Sequence, residues 1–182
     1  MQKSKKPIYR IAECGIFIAM AAALSFAEIE IGALGGDISF VMIPLFIICY
    51  RHGAGCGILS GLVFGLIKCL IGGGIGYGLP SILFDYVLAY GACGVAGFFK
   101  GRQRFMELSV LLGCAARYVI HVISGVTLYR ITAPENVKFF GEIANPWLYS
   151  FAYNIVYMLP NTIIAIAAIA VLHYPLTRLD KM

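Results

Sequence analysis

The chain has 182 residues, 60% of them hydrophobic and 13% charged, with a net charge of +5 and a mean hydropathy of +0.87. Those values lie outside the range of soluble domains and describe an integral membrane protein with no room for a separate soluble unit. There is no G-x-x-x-x-G-K-[ST] motif, so the chain does not bind ATP by a P-loop, and its basic residues border apolar runs instead of forming a nucleic-acid patch.

The first seven residues form a basic tail with Lys3, Lys5 and Lys6. The apolar run that follows has no small-residue cleavage site and reads as a first span over 8–28. Gly15, Ala19 and Ala23 fall four apart on it, a small-residue face that lets another helix approach closely. Spacing alone leaves open whether that neighbour lies within the bundle or is a partner membrane protein. Residues 29–38 read as a Gly-rich acidic connector. A short helix is expected over 39–50, with Pro44 in its first turns, then a tight turn at Arg51, His52 and Gly53, and a glycine-rich helix over 54–71. The run GGGIGYG at 72–78 reads as a loop. Its composition is that of a phosphate loop, but no Lys-Ser/Thr follows it.

Helix 4 is expected over 80–99, opened by Pro80 and followed by Lys100, Arg102 and Arg104. Helix 5 is expected over 108–129, and a longer polar loop runs from 130 to 145. Helix 6 is expected over 146–174. Asn145 and Pro146 read as its N-cap and first residue, and Pro160 predicts a kink. Six spans place both termini on one side. If that side is the cytosol, Lys3, Lys5, Lys6, Arg10, Arg51, Lys100, Arg102, Arg104, Arg178 and Lys181 all lie inside, against Arg130 and Lys138 outside. The fold expectation is an all-α bundle of six transmembrane helices with cytoplasmic termini. The six cysteines read as small buried residues, not as metal ligands or disulfides.

Helix 6 carries the most informative stretch, WLYSFAYNIVYMLPN. Ser150, Asn154, Tyr157 and Asn161 make one polar stripe at helical spacing, which hydrocarbon would leave without partners. The stripe therefore faces inward, either as glue between helices or as the wall of a solute site. Depth favours the site. Asp85, His121 and Asn154 lie roughly 8, 12 and 13 Å from the outer ends of helices 4, 5 and 6 at the α-helical rise. An acid, an imidazole and an amide at one level suit a planar nitrogen heterocycle, and Tyr77, Tyr86, Tyr129, Tyr149 and Tyr153 offer aromatic faces for a flat or cationic one. Arg117, one turn below His121, reads as a buried partner for a carboxylate or for helix carbonyls. Asp85 and His121 could also serve as an acid–base pair in an intramembrane enzyme, but no nucleophile motif or H-E-x-x-H pair accompanies them.

Three segments, LFDYVLAYGACGVAGFF, RYVIHVISGVTLY and PWLYSFAYNIVYMLPN, resemble in order and spacing the thiamine-specific S components of energy-coupling factor vitamin transporters. The resemblance covers nearly the whole chain. It implies a membrane protein of a prokaryotic cell that captures extracellular thiamine. Its implied partners are a transmembrane coupling subunit and two ATPase subunits, which hydrolyse the ATP while the binding component topples in the membrane. Carried over by motif, Asp85, Asn154 and His121 would bind the aminopyrimidine. Tyr129 stands where some members stack a tryptophan, and Tyr149 would reach the hydroxyethyl or thiazolium side, with Tyr86 and Tyr77 as further contacts. Gly15, Ala19 and Ala23 match the face that docks the coupling subunit. No metal, cofactor or catalytic residue is implied. The chain departs from some members in having Asp85 for a glutamate and Leu34-Gly35-Gly36-Asp37 where they place a tryptophan; Asp37 or Glu28 would then serve the thiazolium charge. Other expectations are an S component for riboflavin or a hydroxymethylpyrimidine.

Overall fold

The computed structural model describes residues 7–31, 36–72, 78–132 and 145–179, with side chains left out for 128–132 and 179. It is built from six helices: α1 (Pro7–Leu24), α2 (Met42–His52), α3 (Ala54–Ile71), α4 (Leu79–Phe99), α5 (Met106–Thr132) and α6 (Pro146–Leu179). All except α2 are long and apolar enough to cross a membrane. At 11 residues α2 spans only about 16 Å. It is enclosed by the other helices, with Met42, Leu45, Phe46 and Ile48 almost wholly buried in a core shared with Ala21, Phe64, Tyr90, Val110 and Ile169.

Several predicted ends shift: α2 begins at Met42 and ends at His52, α5 runs over Met106–Thr132, and α6 continues five residues past 174 to Leu179. Helix α1 stops at Leu24, four residues short of the expected 28, where the Ser25 hydroxyl turns back to the Ala22 carbonyl at 2.7 Å. The connector read as a loop contains a two-stranded antiparallel ribbon, β1 (Ile29–Ile31) and β2 (Gly36–Ile38), with Ile29 opposite Ile38. Its alternation is too short to register as a strand pattern. The predicted turn at 51–53 narrows to one residue. Arg51 and His52 stay helical, and Gly53 at φ +86° alone breaks the chain between α2 and α3. At the other end Asn145 caps α6 as its position predicts, its Oδ1 accepting from the Trp147 amide at 2.9 Å. Helix α6 passes through both Pro160 and Pro175 to Leu179.

Helix α4 is not a regular α-helix. It changes to π geometry over Ile82–Leu88 and to 3₁₀ geometry over Cys93–Phe99. The reason for the second lies in the spacing of Gly91, Gly94 and Gly97. At three residues per turn they align on one face, which an α-helix would fan apart. Gly57 and Gly61 of α3 meet the backbone at Gly94 and Gly91, and Gly65 meets that of Tyr86 and Val87, so the two helices approach closely, with Leu62 and Ile58 packed on Gly91 and Gly94. A Cβ at Gly61 would lie 2.7 Å from the Tyr90 carbonyl carbon and 3.0 Å from the Gly91 Cα. At the inner end, Glu13 of α1 binds Arg51 and His52, and His173 of α6 meets Glu107 of α5 at 2.8 Å.

Gly61→Leu should therefore destabilise the bundle by about 1–3 kcal/mol, lowering the thermal midpoint in detergent. Gly55→Leu on the open face of the same helix, where an added Cβ meets nothing within 4 Å, should leave the midpoint unchanged. Equal midpoints for the two variants would remove the α3–α4 backbone contact as a determinant of stability.

Candidate ligand-binding site

Hydrocarbon offers no hydrogen bonds, so polar side chains within apolar helices must find one another. The α6 stripe does so: Ser150, Asn154, Tyr157 and Asn161 are all buried, while Phe151, Ile155, Leu159 and Ile163 on the opposite face are exposed. The stripe meets α5 where Gly125 has no side chain. A Cβ there would stand 3.2 Å from the Ser150 Cβ and 3.4 Å from the Asn154 amide nitrogen. Through this gap Ser150 donates to the Val122 carbonyl at 2.9 Å, and the Asn154 amide donates to the His121 carbonyl at 3.3 Å.

The predicted triad of acid, imidazole and amide is brought together. Asp85 in the π segment of α4 has one carboxylate oxygen 3.3 Å from His121 Nδ1 and the other bonded to the Ser81 hydroxyl at 2.8 Å. A π turn widens the helix locally and is frequent at functional positions; here it carries Asp85 and half-buried Tyr86. Asn154 follows on α6, and its Oδ1 accepts from the Tyr157 hydroxyl. Tyr149 is buried and lies parallel to Tyr153, ring centroids 6.2 Å apart, and Tyr153 in turn meets Tyr157 edge-on. Tyr77 lies outside the described residues, as does the side chain of Tyr129.

Three residues gain roles that spacing did not assign. Tyr157, read only as one member of the inward stripe, stands at the centre of the site, its ring edge-on to His121 at 5.7 Å. Its place three residues after Asn154 was the available signal. Arg117 binds neither a carboxylate nor a helix carbonyl among the described residues. Its Nε donates to His121 Nε2 at 3.2 Å, and its guanidinium lies 4.0 Å over the Tyr90 ring. Lys68, a lone cation near the end of α3, is buried and pairs with Glu28 and, at 3.7 Å, with Asp37.

Lys68 thereby holds the ribbon from one side, and Asn161 holds it from the other. The Asn161 amide donates to the Asp37 carbonyl at 2.6 Å, and its oxygen accepts from the Ser39 amide at 2.9 Å. Gly36 then lies directly on the Tyr157 ring, where a Cβ would come within 3.0 Å of ring carbons. Glu28 and Asp37, expected as free counter-charges, are thus shared with a lysine. Among the described residues two buried cations, Arg117 and Lys68, lie among the carboxylates of Asp85, Glu28 and Asp37, and Glu30 stands opposite Asp37 in the ribbon. Among the described residues no group of three His, Cys, Asp or Glu side chains is placed to hold a metal ion.

Gly15, Ala19 and Ala23 all lie on the exposed face of α1, and a Cβ at Gly15 would meet nothing within 4 Å. Internal packing, one of the two readings of that face, is therefore not its use in this chain.

Comparison with known proteins gives consistent likenesses. The sequence model of a family described as thiamine transporter protein matches residues 11–181. A thiamine transporter ThiT of Bacillus subtilis is 31% identical over all of this chain and 98% of its own length. One from Lacticaseibacillus paracasei is 26% identical over 94% of this chain and 90% of its own. A solved structure of ThiT from Listeria monocytogenes superposes with a TM-score of 0.82 at 25% identity, covering 97% of this chain and 99% of that one.

Removing the Lys68 charge should release the ribbon. In Lys68→Met, hydrogen exchange at the amides of Ile29–Ile31 and Gly36–Ile38 should speed by about tenfold or more. Unchanged protection would mean that Asn161 and Gly36 hold the ribbon without the lysine.

Proposed function

Because this chain belongs to the thiamine transporter protein family, we propose that its buried site captures thiamine as the substrate-binding S component of an ATP-driven importer. The observation that carries this reading is the convergence of Asp85, His121 and Asn154 from three helices in one hydrogen-bonded cluster. Helix glue needs only pairs. Here a carboxylate retains unfilled lone pairs beside an imidazole and an amide, the set that an aminopyrimidine requires. Asp85 accepts from the exocyclic amine, Asn154 offers its second oxygen lone pair, and Tyr86 and Tyr149 bound the ring. Tyr77 and Tyr129 complete the aromatic contacts in this proposal.

The charge count supports a cation. Carboxylates that outnumber the cations among the described residues, in a medium of low polarity, favour a ligand carrying positive charge, as the thiazolium does. The charge comes jointly from Asp85, Glu28 and Asp37, which fits the absence of a tryptophan from the first connector of this chain.

The chain is a multi-pass membrane protein of a bacterium and not an enzyme. In this proposal it lies in the cell membrane with both termini inside, as the excess of inner basic residues requires, and the site opens outward. ATP hydrolysis belongs to two separate ATPase subunits, joined through a transmembrane coupling subunit that docks on Gly15, Ala19 and Ala23. The exposure of those residues supports that use.

Calorimetry on the detergent-purified protein should give saturable thiamine binding that riboflavin does not displace. Asp85→Asn should weaken it by about tenfold or more, since a charge-assisted hydrogen bond is lost. An unchanged dissociation constant would reject the role of the carboxylate. Ala19→Trp should abolish uptake by the assembled transporter while leaving binding intact; normal uptake would move the docking surface elsewhere.

A further inference from the structure

Arginine cannot accept a hydrogen bond: all its nitrogens are donors, and it stays charged throughout the accessible pH range. The Arg117 Nε–H pointing at His121 Nε2 therefore requires that nitrogen to be bare. A neutral imidazole with a bare Nε2 carries its proton on Nδ1, and Nδ1 lies 3.3 Å from Asp85 Oδ1. The direction of every bond in the chain Arg117–His121–Asp85 follows from its first member. We propose that Arg117 is a positioning residue that confines His121 to its Nδ1–H tautomer and thereby presents Asp85 to the ligand as an ionised carboxylate.

The surroundings leave His121 no substitute arrangement. Arg117 and His121 are each more than nine-tenths buried, one helical turn apart on α5. The charged and titratable groups around the imidazole are Arg117 below it, Asp85 from α4, Tyr157 from α6 and Asp37 from the ribbon. Tyr157 gives its hydroxyl proton to Asn154, so it does not compete for Nε2. The Tyr90 ring beneath the guanidinium holds its plane. A second proton on His121 would place N–H against N–H at Nε2 and would offset the charge of Asp85. Held neutral, His121 leaves that charge available to a cation at any pH the membrane surface meets.

The test is the ring-nitrogen spectrum of histidine-labelled protein in nanodiscs, with His121 assigned by its loss in His121→Gln. Wild type should show a protonated Nδ1 and a bare Nε2 from about pH 5 to pH 8. Arg117→Gln keeps a nitrogen at the same distance along the side chain, but its amide can turn and accept. Its His121 should therefore gain an Nε2 proton at about pH 5 and lose it by about pH 8. A wild-type spectrum with a protonated Nε2 at either pH overturns the proposal, and so does an Arg117→Gln spectrum that stays bare at the acid end. The wild-type spectrum decides even if that variant does not fold.

The consequence for affinity rests on the thiamine reading. Wild-type affinity should be flat across this range, whereas Arg117→Gln should bind about tenfold more weakly at the acid end than at the alkaline end. Failure of wild type to bind thiamine at all would count against that reading, and the spectrum would still judge the tautomer.

Discussion

An imidazole buried among apolar helices must have both ring nitrogens and its neighbouring carbonyl satisfied, because no water competes for them. His121 meets this demand with one residue from each side. Arg117 serves Nε2 from its own helix, Asp85 serves Nδ1 from α4, and Asn154 takes the backbone carbonyl from α6. Three helices are tied together at that single group. Each interhelical hydrogen bond is individually modest, on the order of 0.6 kcal/mol in membrane proteins, so their value lies more in register than in stability.

A second interhelical contact rests on backbone approach and not on polar side chains. Helices α3 and α4 meet through glycine faces, and the 3₁₀ turns of α4 exist because its glycines recur every third residue. Overwinding at the inner end of α4 is matched by a widened π segment at its outer end, which is where Asp85 sits. Close packing on α3 and the hydrogen-bonded cluster at Asp85 are thus two ends of one irregular helix. An aspartate reaches one methylene less far than a glutamate, and here it is carried on a segment that is itself displaced from α-helical geometry.

The ribbon over 29–38 joins the two halves of the charge distribution. Lys68 draws Glu28 and Asp37 together, and Asn161 grips the backbone of the same strand. Gly36 resting on Tyr157 connects the ribbon to the ring that contacts His121 and Asn154. Ile38 packs on the same tyrosine cluster, and Asn161 bonds both Asp37 and the Tyr157 carbonyl, so the ribbon meets the site at several points.

Much of this was legible in the residues alone. Apolar run lengths give the six helices of the expected bundle and mark α2 as the short one. The Asn145-Pro146 pair marks the start of α6, and the stripe on α6 declares which face is buried. These features follow from one helix at a time, because helical periodicity and capping are local. The ribbon was missed because three-residue strands carry no periodic signal, and the irregularity of α4 because glycine spacing has meaning only against a second helix. Lys68 drew no reading, because its partners Glu28 and Asp37 lie 31 or more residues away, and Arg117, read as a partner for a carboxylate or helix carbonyls, meets an imidazole instead. Which donor meets which acceptor depends on how neighbouring helices rotate and slide against one another. That is a property of the packed bundle, and it decided the direction of hydrogen bonding at His121.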